Sequence, residues 1–203
     1  MKRCHKKKHD YRNPIVIVCE GELEYFYFKR IRPLYLPGNS GGNRPIVEPI
    51  CAGGKTRRSI VDVAAKQQSQ SIRQVWCVMD IENPASKDLA AAVKAAEKHN
   101  ICLALTNPCF DAWALAHLEP LTGVSDRSRD GYKQALKDRI GRGFSKKCAE
   151  SFVDEILGKG YCNIANAVKY LSVQPNHQSV LNAGVASTNL QTLIKQAFPS
   201  LPI

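Results

Sequence analysis

Pro14-Ile-Val-Ile-Val-Cys19-Glu20-Gly21-Glu22-Leu23-Glu24 is the stretch whose reading decides the fold. Five small apolar or β-branched residues run straight into a carboxylate, a glycine and two more carboxylates. That pattern reads as a buried strand, a tight turn and a helix start. A second apolar run, Val75-Trp76-Cys77-Val78-Met79, ends in the same way at Asp80-Ile81-Glu82. Two predicted strands therefore each deliver carboxylates at their C-terminal ends.

Working outward, residues 22–35 carry Leu23, Phe26, Tyr27, Ile31 and Leu34 at near-helical spacing, with Pro33 and Pro37 ending the helix. The aromatics from Tyr25 to Phe28 would suit base stacking, but apolar periodicity ordinarily reports burial, and a core role is expected. Residues 36–44 form a turn-rich loop and residues 45–51 a short extended piece. Gly53-Gly54-Lys55-Thr56-Arg57-Arg58 then leads into a helix through Ser59, Ile60, Val63 and Ala64. A phosphate loop needs a glycine five positions before Gly54, and Pro49 stands there, so a nucleotide-binding loop is excluded on spacing. Lys55, Arg57 and Arg58 remain candidates for gripping a backbone phosphate of nucleic acid beside a helix N-terminus; solvated surface charge is the plainer reading.

The strand at residues 74–79 is followed by a turn at Asn83-Pro84 and a helix at about residues 86–98, with Ser86 as N-cap. Residues 101–105 predict a further strand. Thr106-Asn107-Pro108-Cys109-Phe110-Asp111-Ala112-Trp113 opens another helix, with Pro108 near its first turn and Asp111 within it. Strands alternating with helices imply an α/β domain with a largely parallel sheet flanked by helices. His117 would suit proton transfer, but its apolar neighbours favour a structural histidine.

Beyond Leu118 the pattern changes. Helices are expected at about residues 130–140, 145–157, 163–171 and 188–198, with no strands between them, and Thr188 with Gln191 resembles a capping box. The expected organisation is a basic flexible tail at residues 1–12, an α/β domain at 13–118 and a C-terminal helical appendage at 119–203. Lys133, Lys137, Arg139, Arg142, Lys146 and Lys147 make the first half of that appendage basic.

Lys and Arg number 29 against 18 Asp and Glu, a formal charge of +11, which favours a phosphate-rich partner such as DNA or RNA. No apolar run is long enough to span a bilayer, so no membrane role is expected. The first ten residues lack the apolar core of a secretory signal, which sets the expectation of a cytoplasmic protein. Of the eight cysteines, Cys19, Cys77 and Cys102 fall in predicted strands, and no C-x-x-C occurs, so they read as small buried hydrophobes. Cys4, His5 and His9 in the tail fall short of a zinc site.

Asp80 and Glu82 are two apart, so on an extended backbone both side chains leave the same face. Glu20 joins them if the two strands are neighbours, and Glu24 lies one helical turn further on, pointing back. Hard carboxylate oxygens converging in this way suit Mg²⁺ or Mn²⁺. Glu20, Asp80 and Glu82 are the expected metal ligands. Such a site hydrolyses phosphodiesters by activating water and neutralising phosphate.

Residues 15–22, 75–82 and 107–113 together resemble, in the same order, the three signature blocks of RloB-like proteins, over roughly residues 14–118. That family is similar to the TOPRIM (topoisomerase-primase) superfamily. The resemblance implies a TOPRIM-like sheet and Mg²⁺ at its carboxylates. It also implies a role in prokaryotic defence against phage, often with an ATPase encoded alongside, as in nucleases of the overcoming-lysogenization-defect type. By position, Glu20 and Glu24 match the Glu-Gly-x-x-Glu element, and Asp80 with Glu82 matches an Asp-x-Asp element. Asp111 matches a third acidic position, so that Glu20, Glu24, Asp80, Glu82 and Asp111 are the implied catalytic set. Glu82 stands where the pattern has aspartate, Asp111 where it usually has glutamate, and residues 20–28 are about one residue shorter than the usual pattern. The competing reading is a non-catalytic subunit that binds nucleic acid or an ATPase partner on the same fold.

Overall fold

The computed structural model describes residues 14–32, 46–53, 56–68, 74–159, 163–199 and 201. The basic tail with Cys4, His5 and His9, the loop at residues 36–44, and Lys55 lie outside them. Six strands form one sheet: β1 (Ile15–Cys19), β2 (Val47–Cys51), β3 (Gln74–Asp80), β4 (Cys102–Asn107), β5 (Ser172–Val173) and β6 (Ser187–Thr188). Helices among the described residues are α1 (Glu22–Ile31), α2 (Arg57–Ala65), α3 (Lys87–Lys98), α4 (Phe110–Ala116), α5 (Arg129–Ile140), α6 (Ala149–Leu157), α7 (Ile164–Tyr170), α8 (His177–Asn182) and α9 (Leu190–Ala197).

The sheet runs in the order β2-β1-β3-β4-β6-β5. β1 pairs in parallel with both β2 and β3, β3 pairs in parallel with β4, and β6 meets β4 antiparallel. The expected α/β class with a mostly parallel sheet is therefore what the chain forms. β1 reads as an unbroken apolar run because both of its faces are covered. Ile15, Ile17 and Cys19 face a core shared with α1, α4, α5, α6, α7 and α9, whereas Val16 and Val18 face a second core under α2, α3 and α8.

The connection from β1 leads to β2 on one side, and the chain then returns to lay β3 on the other side of β1. Right-handed crossovers in opposite directions put α1 and α2 on opposite faces of the sheet. The strand order reverses at β1, so the C-terminal ends of β1 and β3 mark the switch point, the crevice position at which open α/β sheets bind ligands.

The region after Leu118 departs from expectation in three places. It contains two strands, β5 and β6, each too short to leave a periodic signal. Thr188 lies in β6 and the N-cap position of α9 is Asn189, yet the Thr188 hydroxyl both donates to the Leu105 carbonyl at 2.8 Å and accepts from Leu190 N–H at 3.0 Å, so it serves the first turn of α9 from the strand. Helix α8 also sits where none was expected. The Asn189 side chain is buried and takes over the pairing that β6 leaves off, accepting from Leu105 N–H at 2.7 Å and donating to Leu103 C=O at 2.8 Å. Tyr132, Phe152, Ile164 and Leu190 from this region pack into the same core as Ile17 and Trp113.

Ser86 occupies the N-cap of α3 as expected, though without a side-chain capping bond, whereas α4 starts at Phe110, placing Pro108 before the helix in a cis bond with Asn107. The helix expected from residue 145 begins at Ala149, after a 3₁₀ turn at Lys146–Cys148. Cys19 and Cys77 are buried as expected, and Cys102 is half-buried with its sulfur 3.1 Å from the Gln74 amide nitrogen. Among the described residues no helix is long and apolar enough to cross a membrane.

Candidate functional site

Four acids arrive at the β1/β3 crevice from four separate segments. Glu20 follows β1 directly, Glu24 sits in the first turn of α1, Asp80 ends β3, and Asp111 sits in the first turn of α4. The register fixes two of them, since Cys19 lies opposite Val78 and the next residues are Glu20 and Met79. Glu20 N–H continues the ladder to Val78 C=O at 3.0 Å, and its carboxylate turns across to accept from Asp80 N–H at 3.0 Å. Asp80 in turn accepts from Phe110 N–H at 2.8 Å, which ties the end of β3 to the start of α4.

Gly21 makes room for Glu24. Its backbone is extended, so no unusual φ calls for glycine there; a Cβ at this position would instead lie 2.8 Å from Glu24 Oε2. The Glu-Gly-x-x-Glu spacing thus folds the second glutamate back over the strand end, as its position one helical turn on implies.

Glu24 and Asp80 are each only 6% exposed, and Glu20 and Asp111 are half-buried. Burial, with the Glu20 and Asp111 charges adding to it, pushes the Glu24 carboxyl up to about 7. Burial first, then Glu24, Glu20 and Asp111, holds Asp80 well above the usual carboxylate range. Glu20 is raised by burial and partly relieved by the Asp80 N–H, and Asp111 is raised by burial and partly relieved by Lys133 and Arg129. Four acids in one crevice, each desolvated and mutually repelling, are costly to ionise without added positive charge.

Glu82 lies apart from these four. β3 ends at Asp80, and Glu82 takes a left-handed backbone with φ of 50°, so the extended geometry that would align it with Asp80 does not hold. The turn is set by Ile81 N–H on Thr106 C=O and Glu82 N–H on Pro108 C=O, both at 2.9 Å, which bend the chain along the end of β4. The Glu82 carboxylate goes to two arginines: Oε2 is 3.2 Å from Arg57, and Oε1 accepts from Arg129.

Arg57 is mostly buried and structural in its contacts. It donates from Nε to the Asp80 carbonyl at 2.6 Å, and its backbone N–H and guanidinium both reach Asp88. Arg58 pairs with Asp62 at 3.1 Å on the outer surface of α2. Thr56 caps that helix, accepting from Ser59 N–H. Glu22, the remaining acid of the opening stretch, pairs at 2.5 Å with Lys146. His117 is fully buried with both ring nitrogens engaged, at 2.8 Å from the Trp113 carbonyl and 3.1 Å from the Tyr27 hydroxyl. Its role is structural.

Sequence reading missed Arg129. It belongs to the region after Leu118, yet its charge acts on Glu82, Asp80 and Glu20, and it lowers Glu24 and Asp111 as well. One of many cations in a basic segment, it carries no local signal that separates it from Arg127 or Lys133.

The donor set of Glu20, Glu24, Asp80 and Asp111 is all carboxylate oxygen, the ligand type that Mg²⁺ and Mn²⁺ take, so its chemistry fits such an ion. Among the described residues, however, no three His, Cys, Asp or Glu side chains stand close enough to hold one ion as they lie. Ion binding would require the carboxylates to draw closer together.

Compared with known proteins, the chain matches no curated protein and no solved structure. A family model described as RloB-like protein matches residues 15–196, which spans all six strands and includes Glu20, Glu24, Asp80, Glu82, Asp111 and Arg129. With most of its length matched from β1 into α9, the chain belongs to the RloB-like protein family.

Proposed function

We propose that this chain is a Mg²⁺- or Mn²⁺-dependent nuclease of the TOPRIM type that hydrolyses phosphodiesters of DNA or RNA. The observation that carries the reading is the meeting of four acids, two buried and two half-buried, at the β1/β3 crevice of a chain with a formal charge of +11. A solvent-exposed cluster would have a dull electrostatic explanation; a desolvated one opposes folding unless a cation or protons offset it. Glu20 and Asp80 are the residues we assign to hold the ion, with Glu24 and Asp111 completing the negative field around it. The ion, when bound, supplies an acidified water and neutralisation of the phosphate. Arg129 stands on the solvent side of the acids and offsets the charge of an incoming strand, and Arg57 fixes the backbone that carries Asp80. As in the defence systems that the family resemblance implies, we assign the chain an effector role against phage, with an ATPase as partner.

The test is cleavage of labelled single- and double-stranded DNA and RNA with Mg²⁺ and with Mn²⁺, alone and with any ATPase encoded beside the gene. Cutting that vanishes in Asp80→Asn supports the reading, and no cutting under any of these conditions removes it. A second reading, a subunit that binds nucleic acid or the ATPase without chemistry, is favoured by one observation: among the described residues, as they lie, no three acids are grouped to hold an ion. That reading predicts salt-sensitive binding that is indifferent to metal and to Asp80→Asn.

A further inference from the structure

Glu82 holds two arginines at once, one with each carboxylate oxygen. A phosphate offers a guanidinium the same paired oxygens, so a carboxylate in that position fills the place of a phosphate. The two arginines are not equivalent. Arg57 has a side chain only 12% exposed and is anchored independently by the Asp80 carbonyl and by Asp88. Arg129, in the first turn of α5, is 55% exposed and reaches Glu82 from the solvent side. An ion pair that open to solvent is weak, so exchanging Glu82 for another anion costs little.

Beside this pair lies a cleft of about 540 Å³, within the roughly 300–1,000 Å³ range of small-ligand sites. Its lining joins two guanidiniums, Arg127 and Arg129, two carboxylates, Glu82 and Asp130, and the apolar surface of Pro108 and Val185. Val185 is 53% exposed, the one large apolar side chain open to solvent among the described residues. Its loop is held in place by Asn107, whose amide donates to the Val185 carbonyl at 2.9 Å. Guanidinium and apolar surface lining one cleft are what a nucleotide unit needs: a seat for its phosphate and a wall for its sugar and base.

We propose that Glu82 is an internal counterion that occupies the phosphate seat of Arg129, and that a nucleic-acid strand entering this cleft displaces it. The proposal rests on the nucleic-acid reading above but not on catalysis. Glu82 then acts as a positioning residue that holds Arg129 over the acid cluster in the free protein. It also raises the threshold for binding, because a strand must outcompete it.

The experiment measures the affinity of full-length protein for fluorescein-labelled single-stranded DNA and RNA oligonucleotides by anisotropy, in EDTA, as a function of salt. Glu82→Gln is expected to tighten binding about 5-fold, and Arg129→Gln to weaken it about 5-fold and to reduce the salt slope by about 1. The double variant is expected to bind no more tightly than Arg129→Gln alone, since the gain from Glu82→Gln works through Arg129. Equal tightening in the Arg129→Gln background would mean a general charge effect and would overturn the proposal. So would unchanged or weaker binding in Glu82→Gln, or no binding by wild type and Glu82→Gln at about 100 μM. If Glu82→Gln does not fold, as judged by thermal melting, Arg129→Gln decides alone, and an unchanged affinity and salt slope overturns the idea. Cutting without the Glu82 effect sinks only this inference, and the Glu82 effect without cutting sinks only the nuclease reading.

Discussion

Acid should loosen the protein through His117, by an amount that follows from its surroundings. The Trp113 carbonyl only accepts, so Nδ1 carries the proton and Nε2 accepts from the Tyr27 hydroxyl. That arrangement satisfies a neutral ring, and burial lowers its pKa from 6.5 to about 4. The unfolded chain takes up a proton near 6.5, whereas the folded chain does so only near 4. Between those values the unfolded state binds more protons, so stability falls as pH falls through the window and is fully retained above it. Each pH unit is worth about 1.4 kcal/mol, which puts the whole loss at about 3 kcal/mol, of which about 2 kcal/mol is gone by pH 5. The assay is urea unfolding of wild type and His117→Gln between about pH 5 and pH 7, where a Gln side chain does not titrate. Taking the difference between the two proteins cancels the carboxylates that titrate in the same range. A difference that stays flat with pH would refute the assignment of a buried neutral ring. The consequence reaches the site, because Tyr27 is on α1 with Glu24 and His117 follows α4 with Asp111.

Three further outcomes follow from the geometry. Asp80→Asn should abolish metal-dependent cleavage, a greater loss than the roughly 10- to 100-fold expected for residues that only support a ligand, as read by cleavage of labelled oligonucleotides. Gly21→Ala should push the Glu24 carboxylate away, because its Cβ meets the flexible end of that side chain at 2.8 Å; the melting temperature should move little, by less than about 1 kcal/mol in stability, while cleavage falls. Asn189→Ala should leave Leu105 N–H and Leu103 C=O unpaired in a buried place and cost about 2–4 kcal/mol by denaturant unfolding, with α9 the first element to lose amide-exchange protection.

The sequence was most legible where a strand is buried on both faces. The apolar runs at residues 15–19 and 75–79 have no polar alternative, and each ends where a carboxylate must stop it, so both strands and both acids were readable together. Adjacency of β1 and β3, the condition for Glu20 to meet Asp80, has no local signature and is given by the parallel register. Glu82 departs from the same-face expectation because two-residue periodicity holds only while the strand lasts, and β3 stops at Asp80, two residues short of it. Arg129 and Asn189 were unreadable for a common reason. Each acts through a contact more than 45 residues away in the chain, Arg129 with Glu82 and Asn189 with Leu105, and neither leaves a local pattern. Two-residue strands such as β5 and β6 are fixed by what they pair with and not by their own composition.

Pro49, whose place in the spacing rules out a phosphate loop, has a second consequence through its place in β2. Ile15 N–H bonds to Ile46 C=O and Ala52 N–H to Cys19 C=O, so the even-numbered residues of this segment face β1. The missing N–H of Pro49 therefore falls on the outer side of β2, where it removes a donor from the free edge of the sheet. At the opposite end the sheet tapers to β5, two residues long. Among the described residues, a blunted edge on one side and a stub on the other are both features that discourage strand addition from a second chain.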